Sequence, residues 1–242
     1  MFSKLSSLLI VTVLTLTLFG CATKKSNTNV WNATQIAQSR YAKVNLYDSN
    51  NKKIGSVDTN WIRSIIVIKN RIERVAKIKT HLLITEGEDP NAFAWTNEKH
   101  NMVAFNLAML DFLQKDADQF AFVFSHEIAH NVKRHSQKSS DRDGGLNALG
   151  YAVGFGLSMA GIPGAGMLSD AGVTLVKRKF DRDQEREADA LGLQYMREAG
   201  FNPQGALKFN QRMFNKSKGS SLPFLSTHPT GQERIDSIKS AL

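Results

Sequence analysis

Apolar and polar positions change period several times along the chain, and each change marks an element. From Trp31 to Val44 the apolar residues recur at loosely helical spacing, which predicts a helix started by Asn32 or Thr34. Asn45 to Asn60 is polar, with a turn expected at Gly55. Trp61 to Val75 sets Ile62, Ile65, Ile66 and Ile68 among arginines and lysines, and predicts a second helix. Ile78 to Thr85 reads as a strand ended by Gly87 and Pro90. Asn91 to Trp95 and Met102 to Phe105 read as two more. Helical spacing returns at Asn106 to Gln114, and Asp116 or Asp118 then caps a long helix with Phe120, Phe124 and Ile128 on its apolar sides. Asp170 to Ala199 is amphipathic, and Pro203 to Phe214 follows with Asn202 as cap. Lys216 to Ser221 reads as a link before a short terminal helix, Ile235 to Leu242. Together these predict an α+β fold, mainly helical, with a small antiparallel sheet beside the long central helix.

Two apolar stretches break this pattern. Ala148 to Leu168 lacks charge but is interrupted by glycines and Pro163. A buried helical hairpin broken near the proline is expected, with a membrane-inserted or membrane-touching hairpin as the alternative. At the other end, Leu8 to Phe19 is apolar apart from threonines and follows one lysine. It is too short for a comfortable span of about 20 residues and reads as a processing signal. Cys21 follows it and is the only cysteine, so no intramolecular disulfide can form. Leu18-Phe19-Gly20-Cys21 resembles the lipobox of bacterial lipoproteins. That resemblance implies a signal peptide over 1–20, a Cys21 carrying acyl chains such as palmitate, and a tether over 21–30. Stable anchoring needs more than one chain. With Ala22 after the cysteine, the resemblance further implies the periplasmic side of a Gram-negative outer membrane. One domain is expected over 31–242.

Composition supports a single core-forming domain: 242 residues, 42% hydrophobic and 22% charged. The net charge of +9 suits a surface near anionic lipid. No finger, homeodomain or aromatic-spaced RNA signature accompanies it, so no nucleic-acid partner is expected.

The chemistry concentrates in the long helix, where His126-Glu127-Ile128-Ala129-His130 forms an HExxH pentapeptide. Histidines four apart rise about 6 Å along one helix face, so both Nε2 atoms can reach one Zn²⁺. The glutamate between them can polarise a water. A catalytic zinc needs a third protein ligand. The run Asp181-Arg182-Asp183-Gln184-Glu185-Arg186-Glu187-Ala188-Asp189 offers candidates. Glu185 and Glu187 lie about 200° apart around a helix, so only one can face the ion, and geometry leaves them as rivals. Glu185 is favoured if Asp189, one turn on, holds the free ring N–H of a ligating histidine.

HExxH followed by Glu185 and Asp189 in an ExxxD pattern resembles the M48 family of zinc metallopeptidases, and more closely its bacterial envelope quality-control members. Asn91-Ala92-Phe93-Ala94, Arg182, Gly200-Phe201-Asn202-Pro203 and Ser226-Thr227-His228-Pro229 with Arg234 resemble further family blocks, over roughly residues 60 to 240. The resemblance implies a zincin-like domain with one Zn²⁺ per chain held by His126, His130 and Glu185. It implies Glu127 as base, Asp189 behind the ligands, and Arg182 and Arg234 as supporting residues. His228 is implied near the site, as a transition-state donor or an inhibitory ligand. Asn91 to Ala94 is implied as the substrate-lining strand. The expected function is a zinc endopeptidase acting on misfolded or unassembled cell-envelope proteins. The alternative is a zinc-binding chaperone or outer-membrane assembly factor with gated proteolysis. A partner in the form of an envelope protease or assembly machinery is also implied. Larger members carry a helical-repeat domain after the catalytic one. None follows here, so partner recognition is expected from the catalytic domain or another protein.

Overall fold

Long-range pairing overrides the helical spacing near the N-terminus. In the computed structural model, residues 28–48, 50–96, 100–136, 138, 167–168, 180–218, 222–229 and 231–242 are described. Strand β1 (Thr28–Asn32) pairs antiparallel with β4 (Thr80–Thr85), setting Val30 opposite Thr85 and Trp31 opposite Ile84. Only Ala33–Ala37 is helical after it (α1), capped by Asn32, whose side chain accepts from the Thr34 and Gln35 amides. The chain then forms a hairpin, β2 (Lys43–Tyr47) with β3 (Lys53–Asp58). The predicted single helix over 31–44 is therefore corrected to strand, short helix and strand. β1 also starts inside the stretch expected as tether. The hairpin turn lies at Asp48 to Lys52 rather than at Gly55: the Asp48 carboxylate accepts from the Asn50 and Lys52 amides, and Asn51 takes a left-handed φ of 60°. Gly55 instead sits in β3 opposite Leu46.

Helix α2 (Thr59–Ala76) buries Ile62, Ile65, Ile68 and Ile72, spaced three or four apart on one face. Asp58 caps its start, and Lys77 ends it in a left-handed conformation. β5 (Ala92–Thr96) and β6 (Asn101–Asn106) complete the sheet, whose order is β5-β6-β4-β1-β7 with β7 at Met167–Leu168. Pairing is antiparallel except between β4 and β6. The two-residue alternation is clean: Leu82, Ile84, Ala94, Val103 and Phe105 face the main core, while Leu83, Phe93, Trp95, Met102 and Ala104 form a second cluster on the opposite face.

Asn106 caps the short α3 (Leu107–Phe112), and Asp116 caps α4 (Ala117–Val132) by accepting from the Asp118 and Gln119 amides. Helix α4 is buried all round, with Phe120, Phe122, Phe124 and Ile128 inside. Such a helix needs neighbours on every side. They are α2, strand β5, α5 (Arg182–Glu198) and α6 (Gln204–Ser217). Asp181 and Gln184 make a reciprocal capping box that starts α5 at Arg182. The expected helical stretch from Asp170 to Lys179 lies outside the described residues. Asn202 accepts from the Gln204 amide at the start of α6. Two short helices finish the chain, α7 (Pro223–Thr227) and α8 (Gln232–Ser240). The fold is thus mainly helical with a small sheet beside the HExxH helix. The signal segment 1–20, Cys21 and most of the expected hairpin, 148–166, lie outside the described residues. Among the described residues no helix is long and apolar enough to cross a membrane.

Candidate metal centre

Three elements deliver one cluster. Helix α4 places His126, Glu127 and His130 within the core, each at most 1% exposed. Helix α5 packs directly on α4, and Gly192 permits the contact: a Cβ there would stand 3.0 Å from the His126 backbone nitrogen. Glu185 and Asp189, about two turns and one turn before Gly192, share that face and are buried. The end of α7 brings in His228, fully buried, with Phe224 stacked on its ring at 4.6 Å.

The polar atoms converge. His126 Nε2 is 3.0 Å from His130 Nε2 and 3.3 Å from His228 Nδ1. Glu185 Oε1 is 2.9 Å from His228 Nδ1 and 3.3 Å from His130 Nε2, and its Oε2 is 3.7 Å from His126 Nε2. Four donor atoms, one from each residue, lie within 4.8 Å of one another. A tetrahedral zinc with bonds of about 2.0–2.1 Å has ligand atoms about 3.3 Å apart. The separations bracket that edge length, so the residues fit the ion. Charge points the same way: the buried carboxylates Glu127, Glu185 and Asp189 face one buried arginine, Arg234.

Support lies behind the donors. His126 Nδ1 is 3.0 Å from Asp189 Oδ1. Arg234 from α8 donates to both Asp189 oxygens, at 2.6 and 2.7 Å, and pairs with Glu185 Oε2 at 2.9 Å. Glu127 lies beside the cluster with neither carboxylate oxygen hydrogen-bonded; His228 Nε2 is 3.5 Å from its Oε1. An unpartnered buried carboxylate is costly and marks a group kept for a ligand.

Burial sets most of the proton affinities. It raises the Glu127 carboxyl above its ordinary range and pushes His130 well below. Burial works against ionised Glu185 too, but His228 and Arg234 outweigh it and hold that carboxyl well below the usual value. For Asp189 the same contest is won by Arg234 and then His126. Burial disfavours charge on His228, yet Glu185 and Glu127 raise its pKa.

The other candidates fall differently. Glu187 leaves the rivalry with Glu185: its half-exposed carboxylate lies 3.0 Å from His135 Nε2 and 2.5 Å from Lys133 Nζ. Arg182 is solvent-exposed at the start of α5, not part of the buried cluster. Asn91 to Ala94 does sit at the sheet edge: β5 has β6 on one side and no strand among the described residues on the other. All four residues are buried, and Ser136 Oγ donates to the Ala94 carbonyl. Sequence reasoning missed His135 and Phe180. His135 Nδ1 is 3.0 Å from His130 Nδ1, and the Phe180 ring stacks on His130 at 3.9 Å. The signal for His135 was only a histidine five residues after the motif.

An HExxH helix, a buried carboxylate from a second helix and a small sheet alongside define a zincin-like zinc-metallopeptidase domain. The family model described as peptidase family M48 matches residues 58–242, and the chain belongs to that family. Among its relatives, it is 29% identical over 175 residues to the beta-barrel assembly-enhancing protease of Escherichia coli K12, covering 68% of this chain and 35% of that one. It is 30% identical over 170 residues to the mitochondrial metalloendopeptidase OMA1 of Schizosaccharomyces pombe, covering 69% and 48%. The Saccharomyces cerevisiae OMA1 is 30% identical over 169 residues, covering 67% and 46%. The matched part therefore spans between a third and a half of these relatives.

Proposed function

We propose that this chain is a zinc-dependent endopeptidase that hydrolyses misfolded or unassembled cell-envelope proteins. One observation carries the reading: His126, His130 and Glu185 converge in a buried cluster beside a Glu127 carboxylate that makes no hydrogen bond. The names of the E. coli and yeast relatives, a barrel-assembly-enhancing protease and a metalloendopeptidase, support peptide hydrolysis.

His126, His130 and Glu185 would hold one Zn²⁺, which supplies a Lewis acid for the scissile carbonyl and makes a neighbouring water more acidic. Glu127 takes the proton of the attacking water. It then passes that proton to the leaving amine. Asp189 and Arg234 fix the His126 ring and the Glu185 carboxylate, so neither has to reorganise during the reaction. The outer edge of β5, which pairs with no strand among the described residues, would take an extended substrate by strand addition, a mode that depends on backbone more than on sequence and suits unfolded chains. Because that edge is buried, binding requires it to be uncovered.

His228 favours a gated form of this reading. Its Nδ1 stands with the proposed ligands and its Nε2 faces Glu127, where the water must work. The resting site is closed by His228, and substrate engagement releases it. A chaperone or assembly factor that cleaves only when opened has the same resting geometry. Lipidation at Cys21 places the enzyme on the periplasmic side of the outer membrane, and the lipobox-like Leu18 to Cys21 supports this. An envelope protease or assembly machine is the proposed partner.

The test is incubation of the full-length protein with an unfolded substrate, with and without chelator, beside Glu127→Gln. Chelator-sensitive cleavage is expected from wild type. The variant should keep its zinc and lose about 10²–10⁴-fold in turnover. Full cleavage by Glu127→Gln removes Glu127 from the role of base. Cleavage that ignores chelator removes the metal.

A further inference from the structure

His126 has a carboxylate behind it, and His130 has something longer. Its Nδ1 faces His135 Nδ1 at 3.0 Å, and His135 Nε2 in turn faces Glu187 Oε2 at 3.0 Å. Lys133 Nζ closes on the other Glu187 oxygen at 2.5 Å. His135 is 1% exposed at its side chain, and Glu187 is 42% exposed, so the line runs from the metal centre to the surface.

The backbone is shaped for this contact. In a continued helix, a residue five after His130 would point about 140° away from it. Instead α4 stops at Val132, and Arg134 adopts a left-handed φ of 53° that turns His135 back under His130. A non-glycine residue in that region is uncommon, so the surrounding contacts hold it there.

The protons can then be placed by elimination. A carboxylate only accepts, so His135 Nε2 must carry a hydrogen. In neutral His135 the Nδ1 is then a bare acceptor, and the partner at 3.0 Å, His130 Nδ1, must donate. That puts the His130 hydrogen on the far side of its ring and leaves Nε2 as a lone pair aimed into the cluster.

We propose that His135 and Glu187 are positioning residues for the metal: a Glu187–His135–His130 relay that fixes the tautomer and ring angle of the second histidine ligand. The inference rests on the zinc reading above but concerns residues outside the ligand set. The two histidines are thus supported by different means. For His126 the support is the Asp189 carboxylate, itself ion-paired with buried Arg234. For His130 it is an imidazole bridge to a surface carboxylate.

Two measurements test it. Imidazole ¹⁵N shifts of the full-length protein, near neutral pH, should show His135 protonated at Nε2 and bare at Nδ1, with or without zinc. A His135 carrying its hydrogen on Nδ1 cannot accept from His130 and overturns the relay, whether or not the protein binds zinc. Zinc affinity by chelator competition is then compared for wild type, His135→Phe, His135→Asn and Glu187→Ala. Affinity is expected to fall about 10–100-fold in His135→Phe. Most of it should return in His135→Asn, whose side-chain oxygen can accept where Nδ1 did. A smaller loss, about threefold to tenfold, is expected in Glu187→Ala, a surface change that leaves the core untouched. Equal affinity in wild type, His135→Phe and Glu187→Ala overturns the relay. If wild type itself fails to bind zinc, the metal reading falls, and the tautomers alone decide whether the relay exists.

Discussion

Asp189 Oδ1 lies 3.0 Å from His126 Nδ1, and Arg234 grips both oxygens of the same carboxylate. The carboxylate accepts the ring hydrogen, so the His126 lone pair is left on Nε2, toward His130 and Glu185. Asp189→Asn keeps the shape but weakens the acceptor and offers an NH₂ that can turn the wrong way. Zinc affinity is expected to fall about 10–100-fold in this variant. The fold should persist, because Arg234 retains its pair with Glu185. Chelator competition alongside thermal unfolding checks both halves; unchanged affinity would free His126 from dependence on Asp189.

His228→Ala separates the two roles that a histidine at this place can have. As a closing ligand, its removal raises the fraction of open sites, and cleavage of an unfolded substrate should increase about two- to tenfold, in proportion to the closed population relieved. As a transition-state donor, its loss should cost about 10²–10³ in turnover. The position of Nδ1 among the donors leads us to expect the increase. Initial rates with saturating zinc decide, and a drop of two orders would reverse the assignment.

Much of this site was legible because helical periodicity carries it. His126 and His130 are four apart, as are Glu185 and Asp189, and each pair does share a face in the structure. Asn32 and Asp116 could be read as caps because a short polar side chain before a periodic run has few other uses, whereas the last long helix starts one residue later than expected, with Pro203 rather than Asn202 at its cap position. Legibility ended where partners are distant. Trp31 to Val44 has helical spacing, yet pairing with β4, about 50 residues away, made part of it a strand. His135 was invisible because five residues separate it from His130, off that helix face, and only the left-handed Arg134 turns it back. Arg182 shares a helix with the proposed ligand Glu185 but points outward, and Arg234, from a later helix, supplies the buried guanidinium. No local pattern distinguishes those two arginines.

The start of the motif helix should be sensitive to acid. Burial disfavours the Asp116 carboxylate, but Lys208 and the amide and side chain of Gln119 outweigh it and lower its pKa from 3.8 to about 2. A group with a depressed folded pKa contributes its full stability above the unfolded value. That contribution is lost as pH falls through the folded value, here between about 4 and 2. Asp116→Asn retains a capping oxygen and removes the charge. After allowance for solvent around Lys208, the variant should be less stable by about 1–2 kcal/mol at pH 6. The difference should already narrow by pH 3. Urea unfolding of both proteins across that range is the check. A gap that stays constant into acid would mean that the charge contributes nothing.

Gly192 tests whether the helix-to-helix distance sets the metal site. The three atoms nearest to a Cβ at this position are all α4 backbone: the His126 nitrogen at 3.0 Å, its Cα at 3.2 Å and the Ser125 carbonyl carbon at 3.3 Å. Backbone inside a buried helix cannot swing aside as a flexible side chain would, so α5 must move. Replacing glycine by alanine within a helix is worth about 1 kcal/mol in propensity. Overpacking of this kind costs about 1–3 kcal/mol. The net effect expected of Gly192→Ala is therefore a destabilisation of about 1 kcal/mol. Zinc affinity should fall by more than stability does, because α5 carries Glu185 and Asp189 while α4 carries both histidines. Any separation of the two helices stretches the Glu185 to His130 distance, now 3.3 Å, and the Asp189 to His126 contact together. A Gly192→Ala protein that melts higher than wild type and binds zinc equally well would show that the close approach is incidental.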